Sequence, residues 1–204
     1  MKSTLTVLLA IALAGLLLPL CAADSAAGEV VIGFTGGATW KDATHGVCVW
    51  HFPVLADQEL ASLFSPSPTG TPVPDQEHSY LLWVSDFSVE PLPSTAPQAI
   101  AIVPAGSATI YFRPDPTHRD LKDRSTWGAP IATFVRKASI IRTPDNWTSD
   151  NFIFTADLVS TMPFIVNGRS YDLRKLIPNG MTCYEYGQNG SSWESGACVA
   201  NSKQ

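Results

Sequence analysis

Short apolar runs alternate with turn-forming residues along most of the chain. The runs are rich in Val, Ile, Phe, Tyr, Trp and Thr, and Gly, Pro, Asn or Asp bound them. Because this composition and period-two alternation are typical of strands, the pattern predicts β-strands. They fall at residues 30–34, 47–54, 80–87, 99–103, 109–112, 131–141, 152–159, 164–166 and 170–173.

The links between several runs are short enough to predict hairpins. Asn167-Gly168 and Asn189-Gly190 are two-residue turn signals, because both central positions of a type I′ turn need positive φ. Residues 104–107, Pro-Ala-Gly-Ser, predict a further hairpin turn between the runs on either side. Antiparallel pairing follows, so the predicted fold is an all-β antiparallel β-sandwich or barrel.

Helix is scarce in the pattern, and one Pro-rich stretch interrupts it. Apolar residues at 55, 60, 63 and 64, with acidic residues near the start, predict one short helix over 55–64. The Pro-rich residues 65–78 predict a surface loop, since each Pro lacks an N–H for a central strand. A domain boundary there would leave only about 40 residues upstream, too few for a core. We therefore expect residues 24–204 to form a single β-rich domain.

The first 23 residues have the layout of a cleaved signal peptide. Lys2 precedes an apolar run over 5–20, Pro19 ends it, and Cys21-Ala22-Ala23 supplies small residues for cleavage. The run is shorter than the roughly 20 residues that span a bilayer, so no transmembrane anchor is expected in the mature chain. We expect an exported protein, periplasmic or extracellular. A minor alternative is a lipoprotein anchored through Cys21, although Leu20 is large for the residue before a lipidated Cys.

Charge excludes one class of partner. Without Lys2, the 13 basic residues become 12 against 18 acidic ones, a net charge of −6. A mildly acidic chain with scattered Lys and Arg has no basic patch for a phosphate backbone, so nucleic acid is not an expected partner.

The mature chain has three cysteines. Cys183 and Cys198 flank the Asn189-Gly190 turn, and we predict a disulfide between them. Closing such a loop stabilises a fold by about 3 kcal/mol in the chain-entropy model. Cys48 lies in an apolar run and is predicted to be a buried thiol.

His45, Cys48 and His51 superficially resemble a set of metal ligands. On a strand, however, Cys48 would point to the opposite face from both histidines. A structural zinc also needs four ligands. We therefore predict no metal and no cofactor.

Residues 113–127 form the most charged stretch, and the first expectation for it is a solvated, internally paired loop. Asp115, Asp120 and Asp123 do not have the spacing of a calcium loop. His118 beside Asp120 is the candidate acid–base pair if the protein is a secreted hydrolase or metal-dependent enzyme. The sequence identifies no nucleophile for such a pair.

The tryptophans fall into two groups. Trp50 and Trp83 lie inside apolar runs and are predicted core residues. Trp127, Trp147 and Trp193 lie among turn-forming residues, where they either cap the core or present rings to a ligand. The second possibility would make the protein a carbohydrate-binding module.

The sequence favours an exported, non-enzymatic β-domain protein, binding or envelope-associated, with an unknown protein or glycan ligand. A secreted hydrolase or metal-dependent enzyme using residues 113–127 is the first alternative, and a carbohydrate-binding module is the second. Asn146 and Asn189 begin N-glycosylation sequons, which matter only in a eukaryotic host.

Overall fold

The computed structural model describes residues 28–42, 44–56, 63–65, 75, 77–88, 90–92, 99–137, 139–143, 149–188 and 193–202. The predicted signal peptide, residues 57–62 of the predicted helix and most of the predicted Pro-rich loop lie outside these ranges. Trp147 and the sequon residues Asn146 and Asn189 also lie outside them.

The described residues form thirteen strands, one short α-helix and one 3-10 turn. The strands are β1 (Val30–Trp40), β2 (His45–Leu55), β3 (Leu81–Ser88), β4 (Glu90–Leu92), β5 (Ala99–Val103), β6 (Gly106–Phe112), β7 (Ala129–Arg136), β8 (Ser139–Thr143), β9 (Ser149–Thr161), β10 (Phe164–Val166), β11 (Arg169–Tyr171), β12 (Met181–Gln188) and β13 (Trp193–Ala200). The 3-10 turn is Arg124–Thr126 and the helix, α1, is Leu173–Leu176.

Eight strands close into an antiparallel barrel in the order β1-β2-β3-β6-β7-β9-β12-β13. The β12–β9 and β13–β1 pairings complete the ring. Barrel neighbours follow one another along the chain, so this is an up-and-down barrel. The predicted all-β fold is confirmed, and the tertiary structure decides for a barrel.

An arm of three short strands extends from the barrel. Strand β8 pairs with β9, β5 with β8, and β4 with β5. The predicted hairpin at residues 104–107 is therefore wrong, because β5 lies in the arm while β6 pairs with β3 and β7 in the barrel. Gly106 and Ser107, predicted to be turn residues, begin strand β6.

The hairpin predicted at Asn167-Gly168 is confirmed. Both residues have positive φ, 48° and 77°, and β10 pairs with β11 around them. The strand predicted at 170–173 ends at Tyr171, and α1 follows it. Asp172 caps α1 by accepting a hydrogen bond from the Arg174 amide at 2.9 Å, which is the usual role of an N-cap carboxylate.

Aromatic side chains fill the middle of the barrel. Trp50 and Trp83, the predicted core tryptophans, are 1% and 0% exposed. Their ring centroids lie 5.1 Å apart. Further rings pack within about 6 Å of Trp83, those of Phe34, Phe52, Phe134 and Phe154. In an eight-stranded barrel the interior is just wide enough for such side chains or for one small ligand.

The two ends of the barrel differ. At the plugged end, the segment after β9 folds under the barrel, and the ring of Phe164 packs 5.5 Å from that of Phe112 at the end of β6. The other buried apolar residues of this segment are Val166, Tyr171, Leu173, Leu176 and Ile177. At the opposite, polar end lie the β1–β2 link, the end of β3, the start of β6 and the end of β7. No helix of the described residues is long and apolar enough to cross a membrane.

Candidate functional site

A cavity of about 510 Å³ lies at the polar end. Four chain segments converge there because successive barrel strands run up and down, so alternate strand ends meet at the same rim. The lining residues are Lys41, Asp42, His45, Gly46, Asp86, Phe87, Ser88, Ala105, Gly106, Ser107 and Arg136.

One exposed ion pair and one exposed histidine–carboxylate contact form the rim of this cavity. Lys41 Nζ lies 3.0 Å from Asp86 Oδ1, and His45 Nδ1 lies 3.0 Å from Asp42 Oδ1. Hydrogen bonds from the Thr44 amide and from His45 lower the pKa of Asp42 to about 2. The rim charges are thus largely satisfied by one another.

Arg136 is the charged residue that lies deepest in the cavity wall. It ends β7 and is 3% exposed. Its guanidinium carbon lies 5.9 Å from the ring centroid of Phe152. Among the described residues, its Nε and Nη2 atoms have no hydrogen-bond partner. Burial lowers the pKa of Arg136, and the neighbouring Cys48 and Glu185 oppose that effect. The guanidinium remains charged, as Arg does in proteins generally.

Arg136 also belongs to a polar cluster inside the barrel, which we define as Cys48, Arg136, Glu185 and Glu194. Glu194 Oε2 accepts a hydrogen bond from Trp50 Nε1 at 2.8 Å. Burial, together with Glu194 and Glu185, raises the pKa of the Cys48 thiol well above its usual range. Cys48 is therefore a buried, protonated thiol, as the sequence predicted, and a poor nucleophile.

Two glycines of the cavity wall let side chains pack closely against the backbone. A Cβ built on Gly106 would lie 3.1 Å from Arg136 Nη2, and one on Gly46 would lie 2.4 Å from the ring of Phe87. Arg136 and both glycines were not among the site residues predicted from the sequence. The available signal was the period-two pattern of β7, in which Ala132, Phe134 and Arg136 share the buried face. A cation on the same face as core residues indicates an interior charge.

A second cavity of about 250 Å³ lies on the outer wall and shares Lys41, Asp86 and Ser107 with the first. Trp127 lines it, with its ring centroid 5.4 Å from that of Tyr111. Arg124 covers both rings, with its guanidinium carbon 5.7 Å from Trp127 and 5.9 Å from Tyr111. Its Nη2 also donates a hydrogen bond to Tyr111 Oη at 2.7 Å.

Of the three tryptophans proposed for ligand binding, the structure places one beside a cavity. Trp127 is half-buried. Trp147 lies outside the described residues, and Trp193 is described by its backbone alone, which pairs with Gly37 and Gln188. The structure therefore does not test whether the three rings act together.

The charged segment 113–127 is built from local turns. Asp115, Asp120 and Asp123 each accept a backbone hydrogen bond from the residue two positions later. Hydrogen bonds from Thr117 and Ser125 lower the pKa values of Asp115 and Asp123, respectively. Each of these carboxylates thus has a structural role in the loop.

The segment is fixed to the barrel by a buried arginine. Arg119 is 4% exposed and donates hydrogen bonds to the backbone oxygens of Ser79 and Trp127. By contrast, His118 and Asp120 are exposed and line neither of the two cavities. The acid–base hypothesis for these two residues stays a prediction.

His45, Cys48 and His51 are separated as strand alternation predicted. Cys48 points into the barrel, while His51 lies outside it with its ring centroid 5.5 Å from that of Phe64. Within the described residues, no group of three or more His, Cys, Asp or Glu could hold a metal ion.

The predicted cysteine pair is confirmed. Cys183 and Cys198 lie opposite each other on β12 and β13, and their Sγ atoms are 2.03 Å apart. Both residues are fully buried. The bridge therefore staples the last two barrel strands inside the core.

No protein-family model matches the chain, and neither curated proteins nor solved structures gave a significant match. The fold and the site define the chain as an eight-stranded up-and-down barrel with one plugged end and one polar cavity. A fold of this kind carries many functions, so function has to be argued from the site.

Proposed function

We propose that this chain is an exported, non-enzymatic binding protein that holds a small ligand in the cavity at the polar end of the barrel. One observation carries the proposal: Arg136, a charged side chain that is only 3% exposed, lies in the wall of this cavity. A few fixed polar groups in the wall of a cavity are what orients a small ligand.

The shape of the barrel supports the same conclusion. Aromatic side chains fill its middle and an apolar segment closes its plugged end, while the cavity lies at the opposite, polar end. The cavity volume of about 510 Å³ falls in the range of about 300–1,000 Å³ that is usual for small-molecule sites.

The chemistry of the polar cluster favours binding over catalysis. Burial raises the pKa of Cys48, which keeps its sulfur in the unreactive thiol form. The N-terminal layout of charge, apolar run and small residues supports export to the periplasm or the exterior. An envelope-associated role is compatible with ligand binding and with export.

A second candidate function, glycan binding, is favoured by the outer cavity. Trp127 and Tyr111 present aromatic rings there beside charged side chains, a combination of apolar surface and polar groups that suits small-molecule recognition. Arg124 would have to move before a sugar ring could lie on the faces of Trp127 and Tyr111 that it covers.

Both candidate functions can be tested by NMR. Mixtures of small carboxylates, amides, polyols and oligosaccharides are added to residues 24–204, and the chemical shifts of the protein are followed. We expect saturable shifts of the Arg136 Nε–H signal and of the Gly46 and Gly106 amides. The variant Ala105→Trp places a bulky ring at an exposed rim position and should weaken the affinity read from these shifts at least tenfold. Ser202→Trp, at an exposed position of the plugged end, is the matched control.

Equal binding by both variants would show that the cavity is not the site. Shifts confined to the Trp127 indole N–H on adding oligosaccharides would favour the glycan candidate. If none of the probes shifted any cavity signal, the binding proposal would be wrong.

A further inference from the structure

We infer that the outer cavity binds an acidic sugar, and that Arg124 holds the carboxylate of that sugar. The inference rests on the second candidate function, glycan binding, and names the chemical class of the glycan. It starts from Arg124, an exposed cation of the cavity wall. Among the described residues, no ion pair joins Arg124 to a carboxylate.

Two aromatic rings and one hydroxyl fix the position of Arg124. Its guanidinium carbon lies 5.7 Å from the ring centroid of Trp127 and 5.9 Å from that of Tyr111. Its Nη2 donates a hydrogen bond to Tyr111 Oη at 2.7 Å, and this bond raises the pKa of Arg124. A guanidinium has more N–H donors than this one bond uses, so donors remain for a ligand. Because the side chain is already ordered, binding through it costs little further side-chain entropy.

The remaining donors of Arg124 belong to an accessible side chain. Arg124 is exposed and lines the cavity, so an anion in the cavity can contact it directly. A sugar that stacked on the covered faces of Trp127 and Tyr111 would displace Arg124. A sugar whose acid group binds Arg124 leaves the guanidinium in place and uses its open donors.

Cations outnumber carboxylates among the described residues that line the outer cavity. The cations are Lys41 and Arg124, and the carboxylate is Asp86, which lies 3.0 Å from Lys41 Nζ. Asp123, next to Arg124 in the sequence, accepts hydrogen bonds from the amide and hydroxyl of Ser125 and does not line the cavity. A singly charged carboxylate therefore balances the charge of the lining. A dianionic phosphate would exceed it and meet more repulsion from Asp86.

The rest of the lining matches a sugar ring. Val47 and Val84, on the outer faces of β2 and β3, supply an apolar floor, and Ser107 and Thr109 of β6 supply hydroxyls. A pyranose has an apolar face of C–H groups and hydroxyls around its edge, so it can lie on the valines and hydrogen-bond at its edge. The volume of about 250 Å³ is below the range of about 300–1,000 Å³ for drug-sized ligands, so the cavity takes one sugar residue.

The test is calorimetric and NMR titration of residues 24–204 near neutral pH. Methyl glucuronide is compared with methyl glucoside, which lacks the carboxylate, with benzoate, which lacks the sugar, and with inorganic phosphate. We expect methyl glucuronide to bind at least tenfold more tightly than each of the other three. Its binding should shift the signals of the Trp127 indole N–H and the Thr109 amide.

Three variants connect this affinity to the charges of the cavity. Arg124→Gln should weaken methyl glucuronide binding at least tenfold, to the level of methyl glucoside. Lys175→Gln removes an exposed cation of α1, away from the cavity, and as the matched control should leave the affinity unchanged. Asp86→Asn removes the carboxylate from the lining and should tighten methyl glucuronide binding several-fold.

Each other outcome overturns a defined part of the inference. Equal affinities for methyl glucuronide and methyl glucoside would overturn the acid group and keep glycan binding. Benzoate that binds as tightly as methyl glucuronide would overturn the sugar, and tighter binding of phosphate would overturn the charge argument. An unchanged affinity in Arg124→Gln would overturn the anchor.

Failure of the glycan candidate itself gives a different result. If no probe shifted the outer-cavity signals, the inference and glycan binding would both be wrong, whereas binding at the polar end is judged separately by the Gly46 and Gly106 amides. Should Arg124→Gln fail to fold, Asp86→Asn decides, because it leaves Arg124 in place. An affinity that did not rise in Asp86→Asn would then overturn the inference.

Discussion

The burial of a single residue depends on which face of a strand it occupies and on whether another segment covers that face. His51 shows this clearly, because it lies on the outer face of β2 but is only 2% exposed, covered by Phe64. Its sequence context, one residue past Trp50 in an apolar run, gives no sign that a separate segment covers it. Burial lowers the pKa of His51 to about 4, against an opposing effect of Asp75.

We predict that His51 makes the protein less stable in mild acid. The folded-state pKa of about 4 lies below the ordinary 6.5, so the unfolded chain binds the proton more tightly. Stability is therefore full above about pH 6.5 and is lost as the pH falls through 6.5 towards 4, by about 3 kcal/mol at most. Urea unfolding at several pH values should show this loss, and His51→Gln should remove it.

His45→Gln is the control, since His45 is exposed on the rim. Carboxylates also titrate below pH 5. The decisive quantity is therefore the difference in the pH dependence of the unfolding free energy between the wild type and each variant. An unchanged pH dependence in His51→Gln would contradict the assignment.

Two glycines with nearly equal backbone angles allow a second prediction at this scale. Gly168 has φ of 77° and no atom within 4 Å of a built Cβ, whereas Gly180 has φ of 76° and a built Cβ 2.4 Å from the Ala156 oxygen. Gly168→Ala should cost about 1 kcal/mol, the strain of the left-handed conformation alone. Gly180→Ala should cost at least about twice as much, because the backbone must also move. Equal losses in urea unfolding would show that the contact at Gly180 relaxes freely.

At the level of elements, local signals predicted strands well and their partners poorly. The Asn167-Gly168 hairpin is local, and it was predicted correctly. The link at 104–107 looked equally local, but β5 and β6 take partners in different parts of the sheet. Strands β12 and β13 were not among the predicted runs, since Gly, Ser and Glu interrupt their apolar residues. They form strands because β12 pairs with β9 and β13 pairs with β1, which closes the barrel.

The disulfide between those two strands leads to an element-scale prediction. Labelling the thiols of residues 24–204 in denaturant without reductant should modify one cysteine, Cys48. The double variant Cys183→Ala/Cys198→Ala should lose about 3 kcal/mol of unfolding free energy, as expected for a loop of 15 residues. Labelling of three cysteines would contradict the bridge, and Cys48→Ala, which should show no labelling, is the control.

At the scale of the whole molecule, the up-and-down order of the barrel creates the difference between its ends. Each strand reverses direction, so alternate links gather at the same rim, and the long segment between β9 and β12 lies at the plugged end. The other end keeps a cavity with Arg136 in its wall. The binding experiment belongs to this scale, because no single strand contains the cavity.

The sequence by itself determined the strand-rich composition, the core tryptophans, the cysteine pair and the tight Asn167-Gly168 turn, because alternation, burial and turn geometry are properties of short stretches. Only the tertiary structure decided for a barrel over a sandwich, placed β5 in the arm and brought Arg136, Gly46 and Gly106 to one cavity. These features depend on which distant strands become neighbours. The pairing of distant strands is stabilised by closing the sheet into a barrel and burying the apolar side chains of its inner face. This free energy depends on the whole chain, so no local stretch of sequence predicts it.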